Sequence, residues 1–178
     1  MAGDKLKIMV SWTVYGNTYI LDQVKATLET YGYKVIMSKE GSVYVPIGKT
    51  NLEACLDAVE DCDLFLGIIF MRYGSGITDK EFEKAIEIDC PMWFLADEKV
   101  EYTRKLMQQF MYDEDRNRTG FDIQPTSVLD SIKLIDMYNK VRGKWVQPFN
   151  HESKILSFIE EQFEDYDKRK QEIENRGI

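Results

Sequence analysis

The chain has 178 residues, of which 44% are hydrophobic and 12% aromatic, enough apolar material for one closed core and too much for a disordered chain. Its formal net charge of −8 argues against a general phosphate-backbone binder, because affinity for nucleic acids depends largely on lysine and arginine. No apolar run reaches the roughly 20 residues of a membrane-spanning helix. Since the first residues also lack the apolar segment of a signal peptide, we expect a cytoplasmic protein without membrane or nucleic-acid partners.

The chain has few of the side chains that commonly bind metal ions or act as nucleophiles. There is one histidine, His151, and the three cysteines, Cys55, Cys62 and Cys90, form no CxxC pair. We expect reduced cysteines that act as small core residues. A Cys/His zinc site or a Ser-His-Asp triad would need partners that the composition does not supply. We therefore expect no metal and no cofactor, and any chemistry to depend on carboxylates, hydroxyls or a thiol.

Strand and helix patterns alternate through the first two thirds of the chain. The predicted strands are 5–11, 33–37, 64–70 and 91–96, and the predicted helices are 17–31, 51–62, 79–88 and 100–111. The strand at 64–70 is almost entirely apolar, as is typical of a central parallel strand covered on both faces. The alternation predicts an α/β fold, a flavodoxin-like doubly wound parallel sheet in the order 2-1-3-4, with room for a fifth strand.

The remaining residues predict a helical extension. Residues 112–125 are polar and read as a loop, 127–141 and 152–166 read as helices, and the charged tail after Asp167 is expected to fray. We divide the chain into an α/β domain at 1–111 and an extension at 112–178, packed together as one structural unit. The last helix carries an apolar stripe of Ile155, Phe158, Ile159 and Phe163. Either the chain's own sheet or a second copy must cover this stripe.

Ligands of open parallel sheets bind beyond the carboxyl ends of the strands, where the strand order reverses. Three segments should meet there: the ends of the first and second strands, and the third strand with the start of its helix. The candidate substrate-binding residues are Ser11, Thr13, Tyr15, Glu40, Arg72, Tyr73, Gly74, Ser75 and Thr78. Tyr15 either stacks on a ring or closes the core edge, and Arg72 either holds a phosphate or pairs with a nearby acid. The glycines at 74 and 76 match neither the dinucleotide fingerprint nor the P-loop.

Glu81 is the candidate catalytic residue, and it has two interpretations. Thr78 and Glu81 have the T-x-x-E spacing of a capping box, in which both side chains bind orphan amides at a helix start. Alternatively, the Glu81 carboxylate faces the crevice and acts on a substrate. The spacing alone favours capping.

Several motifs taken together resemble a known bacterial family. They are S-W-T-V-Y at 11–15, N-L-E-A-C at 51–55, R-Y-G-S at 72–75 and I-T-x-x-E-F-E-x-A at 77–85. They resemble a domain-of-unknown-function family that occurs alone or ahead of ATPase modules in prokaryotic defence systems, and that is grouped with TIR-like and nucleoside-deoxyribosyltransferase-like folds. The resemblance covers about residues 5–105, and W-V-x-P-F at 145–149 is similar to the family's tail.

The resemblance implies a role for Glu81. TIR domains that cleave NAD carry a glutamate at the start of the helix after the third strand, in a context similar to 81–85 here. Nucleoside deoxyribosyltransferases use a glutamate three residues after a threonine as nucleophile on the sugar, and Thr78 and Glu81 match that pair. Breaking a glycosidic C–N bond builds positive charge on the sugar, which a carboxylate stabilises or traps. Nicotinamide is already cationic in NAD, so its departure needs no general acid.

Three functions remain open at this point. The first is a TIR-like NAD-processing enzyme, a hydrolase or a cyclase making a nucleotide signal, in antiviral defence. The second is a nucleoside deoxyribosyltransferase or nucleoside hydrolase. The third is a non-catalytic nucleotide-sensing or adaptor module. The first function takes a nucleotide, the second a nucleoside or nucleotide, and the third a nucleotide or a protein, in each case as substrate or ligand rather than cofactor. A homo-oligomer or a separately encoded effector protein is the expected macromolecular partner.

Overall fold

A computed structural model of the protein describes residues 5–13, 19–38 and 42–177. The strands in these residues are β1 (Lys7–Trp12), β2 (Lys34–Met37), β3 (Leu64–Ile69), β4 (Met92–Asp97) and β5 (Val146–Phe149). The helices are α1 (Tyr19–Tyr31), α2 (Asn51–Glu60), α3 (Ile77–Glu87), α4 (Glu98–Met111), α5 (Lys133–Val141), α6 (Glu152–Phe163) and α7 (Tyr166–Arg176).

All five strands are parallel and lie in the order β2-β1-β3-β4-β5, which confirms the predicted flavodoxin-like sheet. From β1 the chain moves outward to β2, then returns to place β3 on the other side of β1. The strand order therefore reverses between β1 and β3, as a site at this point requires. The fifth strand pairs with β4, with Ala96 opposite Pro148, so the C-terminal part of the chain completes the sheet edge.

Alternation along the strands gives the sheet two faces. In β1, Ile8 and Val10 belong to the core on the side of α1 and α6, the α1 face. Met9 belongs to the core on the other side, built from the helices α2, α3, α4 and α5, which we name the α3 face. Side chains of successive strand residues point to opposite faces, so Ser11 lies on the α3 face with Met9.

The apolar stripe of α6 is covered by the chain itself. Ile155, Phe158, Ile159 and Phe163 are buried in the core of the α1 face, where α6 packs on α1. Of the two predicted coverings, the chain's own sheet domain is the correct one.

The expectation of a frayed tail after Asp167 is wrong, because α7 is anchored at several points. Asp165 caps its first turn by accepting from the amide of Lys168 at 3.0 Å. The Tyr166 hydroxyl accepts from the amide of Leu6 at 2.9 Å, which ties the helix to the start of the chain. The Arg169 guanidinium lies 4.7 Å from the centre of the Trp93 ring. These contacts hold α7 against the rest of the protein although most of its residues are charged or polar.

The predicted helix at 127–141 begins later than expected, at Lys133. The Thr126 hydroxyl accepts from the amides of Val128 and Leu129, at 3.2 and 3.0 Å, and so turns the backbone before a helix can start. Residues 127 to 132 therefore lie outside α5 and can contact other parts of the chain. None of the helices in the described ranges is long and apolar enough to cross a membrane.

Candidate functional site

The centre of the site is a side-chain contact between β1 and α3. The Ser11 hydroxyl donates a hydrogen bond to Oε2 of Glu81, whose side chain is fully buried. Thr78, Glu81, Phe82 and Ala85 are all buried and have the spacing of one helical face. The periodicity that packs Phe82 and Ala85 on the sheet therefore places the carboxyl group beneath the end of β1.

The capping box predicted at Thr78 and Glu81 does not form. The N-cap of α3 is Gly76, with φ of 82°, and the helix starts at Ile77, so Glu81 is its fifth residue and lies too deep to cap the first turn. The Thr78 hydroxyl instead donates to the carbonyl of Trp12 at 2.6 Å, which fastens α3 to the end of β1. Within the described residues a capping box joins Thr50 and Glu53 at the start of α2.

Burial raises the pKa of Glu81 above its ordinary value of 4.5. Hydrogen-bonding interactions with Ser11, then Cys55, then Ser38 act in the opposite direction and offset part of that rise. The second oxygen, Oε1, is buried and has no well-formed hydrogen bond to any residue that the structure describes. Burial raises the pKa of the Cys55 thiol to about 12, and the nearby Glu81 carboxyl group contributes to that rise. Glu81 is therefore a buried acid whose hydrogen bonding is incomplete among the described residues.

The carboxyl group lies close to the surface despite its burial. Ser38 directly follows β2, is exposed, and interacts with the Glu81 carboxyl. Ser11 and Cys55, the other two residues that interact with the carboxyl, are buried. Of the three, only Ser38 is exposed, and it lies at the carboxyl end of β2.

Thr13 is buried, and its hydroxyl is used by the backbone. Its Oγ1 accepts from the Phe70 amide at 2.8 Å and donates to the Phe70 carbonyl at 3.2 Å. This pair ties the end of β1 to the end of β3. Thr13 and Thr78 thus fasten the end of β1 to the end of β3 and to α3, and their hydroxyls are engaged with the backbone.

The loop after β3 is held by a side chain that the sequence did not single out. The Asp130 carboxylate accepts from the amides of Tyr73 and Gly74, at 2.8 and 3.0 Å. The Tyr73 hydroxyl donates to Asp79 at 2.9 Å, and Lys140 of α5 forms an ion pair with Asp79 at 2.8 Å. The backbone amides of Tyr73 and Gly74, two of the predicted substrate-binding residues, are therefore occupied by a carboxylate of the chain itself.

Arg72 and Ser75 lie in the same loop and are exposed. The Ser75 hydroxyl accepts weakly from the Ile77 amide, at 3.5 Å. The Arg72 side chain makes no hydrogen bond or ion pair with any residue in the described ranges, so its guanidinium is available to an anion. Tyr15 and Glu40, the other two predicted binding residues, lie outside the described residues.

The structure thus brings Ser11, Thr13, Thr78 and Glu81 together, whereas Arg72 and Ser75 are exposed in the loop after β3. Sequence reasoning missed Cys55, which reads as an ordinary apolar position of α2, and Asp130, which lies inside a predicted helix. Its pairing with the 73–74 amides depends on the fold and has no local sequence signal. Among residues 5–13, 19–38 and 42–177 there is no cluster of three or more histidine, cysteine or acidic side chains that could hold a metal ion.

The fold and this arrangement define a doubly wound α/β protein with a buried carboxylate at its topological switch point. The chain belongs to a family whose model is described as "Domain of unknown function (DUF4062)" and matches residues 7–164. Among solved structures it is similar to a conserved protein from Enterococcus faecalis V583, with 12% identity, a TM-score of 0.49, and coverage of 89% of this chain and 99% of that one. The comparison with curated proteins finds no match.

Proposed function

We propose that the protein cleaves the glycosidic C–N bond of a nucleotide, with Glu81 as the catalytic carboxylate and NAD as the substrate, in a TIR-like reaction. The observation that carries this proposal is the buried Glu81 carboxyl at the switch point, held on one oxygen by Ser11 and lacking a well-formed partner on the other among the described residues. Perturbed acids in clefts are frequent at functional sites.

The position of Glu81 is costly for a purely structural residue. Its neighbours on the same helical face, Phe82 and Ala85, are apolar, and a buried carboxyl without full hydrogen bonding destabilises a fold. An apolar side chain of similar size would fill the position without that cost. A destabilising group retained in a core is common where activity needs it.

The proposed reaction follows from the charge of Glu81. The bond between C1′ of the ribose and the nicotinamide nitrogen breaks, and its electron pair neutralises the pyridinium. The cationic sugar left behind is stabilised by the carboxylate, which acts more strongly in a low-dielectric site than in water. Water then adds to C1′ and loses a proton in a hydrolase, whereas a ring nitrogen of the same nucleotide adds in a cyclase. Ser11 positions Oε2, and Arg72 binds a phosphate.

The burial of Glu81 adds a requirement for opening, since a ribose must displace neighbouring groups to reach it. The interaction with exposed Ser38 supports an approach from the end of β2. An enzyme with such a site is at rest until assembly or an effector opens it, which agrees with a role in antiviral defence. The same burial favours a second candidate function, a nucleotide-sensing or adaptor module that does not turn over its ligand.

The test is base release. Purified protein, at a concentration high enough to favour assembly, is incubated with NAD and, separately, with deoxynucleosides, and free base is followed by chromatography for wild type, Glu81→Gln and Glu87→Gln. Glu87 lies on the same helix and is exposed, so its substitution is a matched control. We expect nicotinamide release that Glu81→Gln abolishes and Glu87→Gln retains.

Other outcomes separate the alternatives. Base release from deoxynucleosides alone would identify a nucleoside hydrolase or transferase. NAD binding by calorimetry without turnover, at high protein concentration, would identify the sensing module. Nicotinamide release that survives Glu81→Gln would remove Glu81 from the mechanism.

A further inference from the structure

A cavity of about 660 Å³ lies between α4 and α5, lined also by the turn that follows α4. We name it the α4–α5 groove and define it by six of its lining residues, Arg104, Gln108, Tyr112, Arg116, Asn139 and Arg142. None of the residues at the Glu81 site lines it. Its volume falls within the range of about 300–1,000 Å³ that is typical of small-molecule sites.

The groove is basic although the protein is acidic. It contains three arginines and one acid, Asp113, in a chain whose net charge is −8. Asp113 is already engaged, because Asn117 donates to it from its backbone amide at 2.8 Å. A basic groove on an acidic protein concentrates anions locally.

Two of the three arginines are available to a ligand. Arg104 is buried and satisfied, since it donates twice to Glu101 at 2.7 Å and once to Gln108 at 2.7 Å. Arg116 and Arg142 are exposed, and their guanidinium groups make no hydrogen bond or ion pair with the residues that the structure describes. A guanidinium group matches the geometry of a phosphate and can donate to two of its oxygens at once.

The other side chains that line the groove are suited to binding the base of a nucleotide. The Tyr112 hydroxyl accepts from Nδ2 of Asn139 at 2.9 Å, which fixes the half-buried ring on the groove wall. The side-chain oxygen of Gln108 accepts from Arg104, and Gln108 lines the same groove. A flat aromatic surface next to amides is the combination that stacks on a base and reads its edge.

We propose that the α4–α5 groove is a second binding site, for a nucleoside diphosphate or triphosphate. Arg116 and Arg142 bind the phosphates, and Tyr112 and Asn139 contact the base. The site does not depend on Glu81 and is occupied whether or not the protein cleaves a glycosidic bond.

The test is isothermal titration of the whole chain with ADP, pyrophosphate and adenosine. We expect ADP to bind more tightly than pyrophosphate and adenosine to bind weakly. Arg116→Glu and Arg142→Glu should each weaken ADP binding about tenfold or more. Lys133→Glu and Lys144→Glu change the net charge equally at exposed positions outside the lining, and should leave affinity within about twofold in physiological salt. Circular dichroism verifies that each variant is folded.

Three results would overturn the proposal. One is a failure of ADP to bind, and another is an equal loss of affinity in the lysine controls, which would reduce the effect to net charge. The third is equal affinity for pyrophosphate and ADP, which would show that the base makes no contribution to binding. Glu81→Gln should retain ADP binding at the groove, so failure of the proposed glycosidase activity and failure of this site are observed separately.

Discussion

The two faces of the sheet are built by the same strands but filled differently. The core of the α1 face consists of apolar and aromatic side chains, and Tyr33, its buried phenol, has a pKa raised to about 12 by burial and stays neutral. The α3 face receives Ser11 and Gly67 from the central strands and Glu81 from its helix. Each face buries one polar atom without a hydrogen-bond partner among the described residues, the Tyr33 hydroxyl on the α1 face and Oε1 of Glu81 on the α3 face. The faces differ because the phenol is neutral at physiological pH, whereas the carboxyl group can ionise and its burial then opposes folding.

This difference predicts opposite signs for the loss of a buried ring on the α1 face and the neutralisation of the buried acid on the α3 face. Removing a buried group from the α1 face should destabilise the protein. Neutralising the buried acid of the α3 face should stabilise it. The following substitutions test the contrast, from the largest expected effect to the smallest.

Phe163→Ala removes a fully buried ring from the α1 face, where it contacts Tyr33 and Trp93 with ring centres 5.8 and 5.2 Å away. We expect the free energy of unfolding to fall by about 3–5 kcal/mol, measured by urea denaturation. Phe110→Ala, at an exposed ring, is the control and should cost much less. Equal losses in the two variants would contradict the assignment of α6 to the core.

Gly67→Ala tests how tightly the α3 face is packed around β3. An added Cβ would lie 2.5 Å from Cδ1 of Phe94 and 2.7 Å from Cζ of Phe82, on the helix that carries Glu81. We expect a loss of roughly 1–3 kcal/mol in unfolding free energy, because rings in a close-packed core have little room to move. Gly143→Ala, where nothing lies within 4 Å of the added carbon, is the matched control. An unchanged unfolding midpoint for Gly67→Ala would show that the rings of Phe82 and Phe94 can move to accommodate the added carbon.

Glu81→Gln should stabilise the protein, and the gain should depend on pH. The pKa of Glu81 is raised in the folded state, so the carboxyl contributes fully below the ordinary value of 4.5 and its contribution is lost as pH rises through the folded pKa. Glutamine does not ionise, so the melting temperature of the variant should exceed that of wild type by a few degrees at neutral pH. The difference should shrink toward acid pH. Thermal melts from about pH 4 to about pH 8 measure it.

Glu87→Gln serves again as the control in those melts and should show no such pH-dependent gain. A loss of stability at neutral pH in Glu81→Gln would mean that the ionised carboxylate is a satisfied structural group. That result would also weaken the proposed function.

Arg169→Ala tests the weakest part of the α1 face, the attachment of α7. The guanidinium lies over Trp93 and donates to the Gln162 carbonyl at 2.6 Å. We expect a loss of about 1 kcal/mol in unfolding free energy, in the range of a partly desolvated cation–π contact. Lys168→Ala, at an exposed neighbouring position, should be close to neutral. Identical stabilities for the two variants would show that α7 is held by other contacts.

Most of the fold was predictable because its signals are local. The apolar run of β3 identified the central strand, and alternation with helices determined the parallel order. The errors lie where a non-local contact decides. The charged residues of α7 give only a weak apolar pattern, and the helix is held by non-local contacts to Leu6 and Trp93 and by packing of Ile173 on the core of the α1 face.

The site was predictable in position but only partly in its chemistry. The switch-point rule placed Ser11 and Glu81 in one region, yet the T-x-x-E spacing suggested a cap that the earlier start of α3 rules out. The contact of Cys55 with the carboxyl, and the 3.8 Å separation of the Cys62 and Cys90 sulfurs, arise from packing between elements distant in the chain. Such pairings have no signature in a single sequence.

Pro148 in β5 affects how copies of this protein can associate. β5 is the outer strand beside β4, only four residues long, and its proline has no N–H to offer to a strand added from another molecule. Growth of a continuous intermolecular sheet at that border is therefore disfavoured. Any filament or ring formed by this chain should therefore be joined through a surface other than the β5 edge.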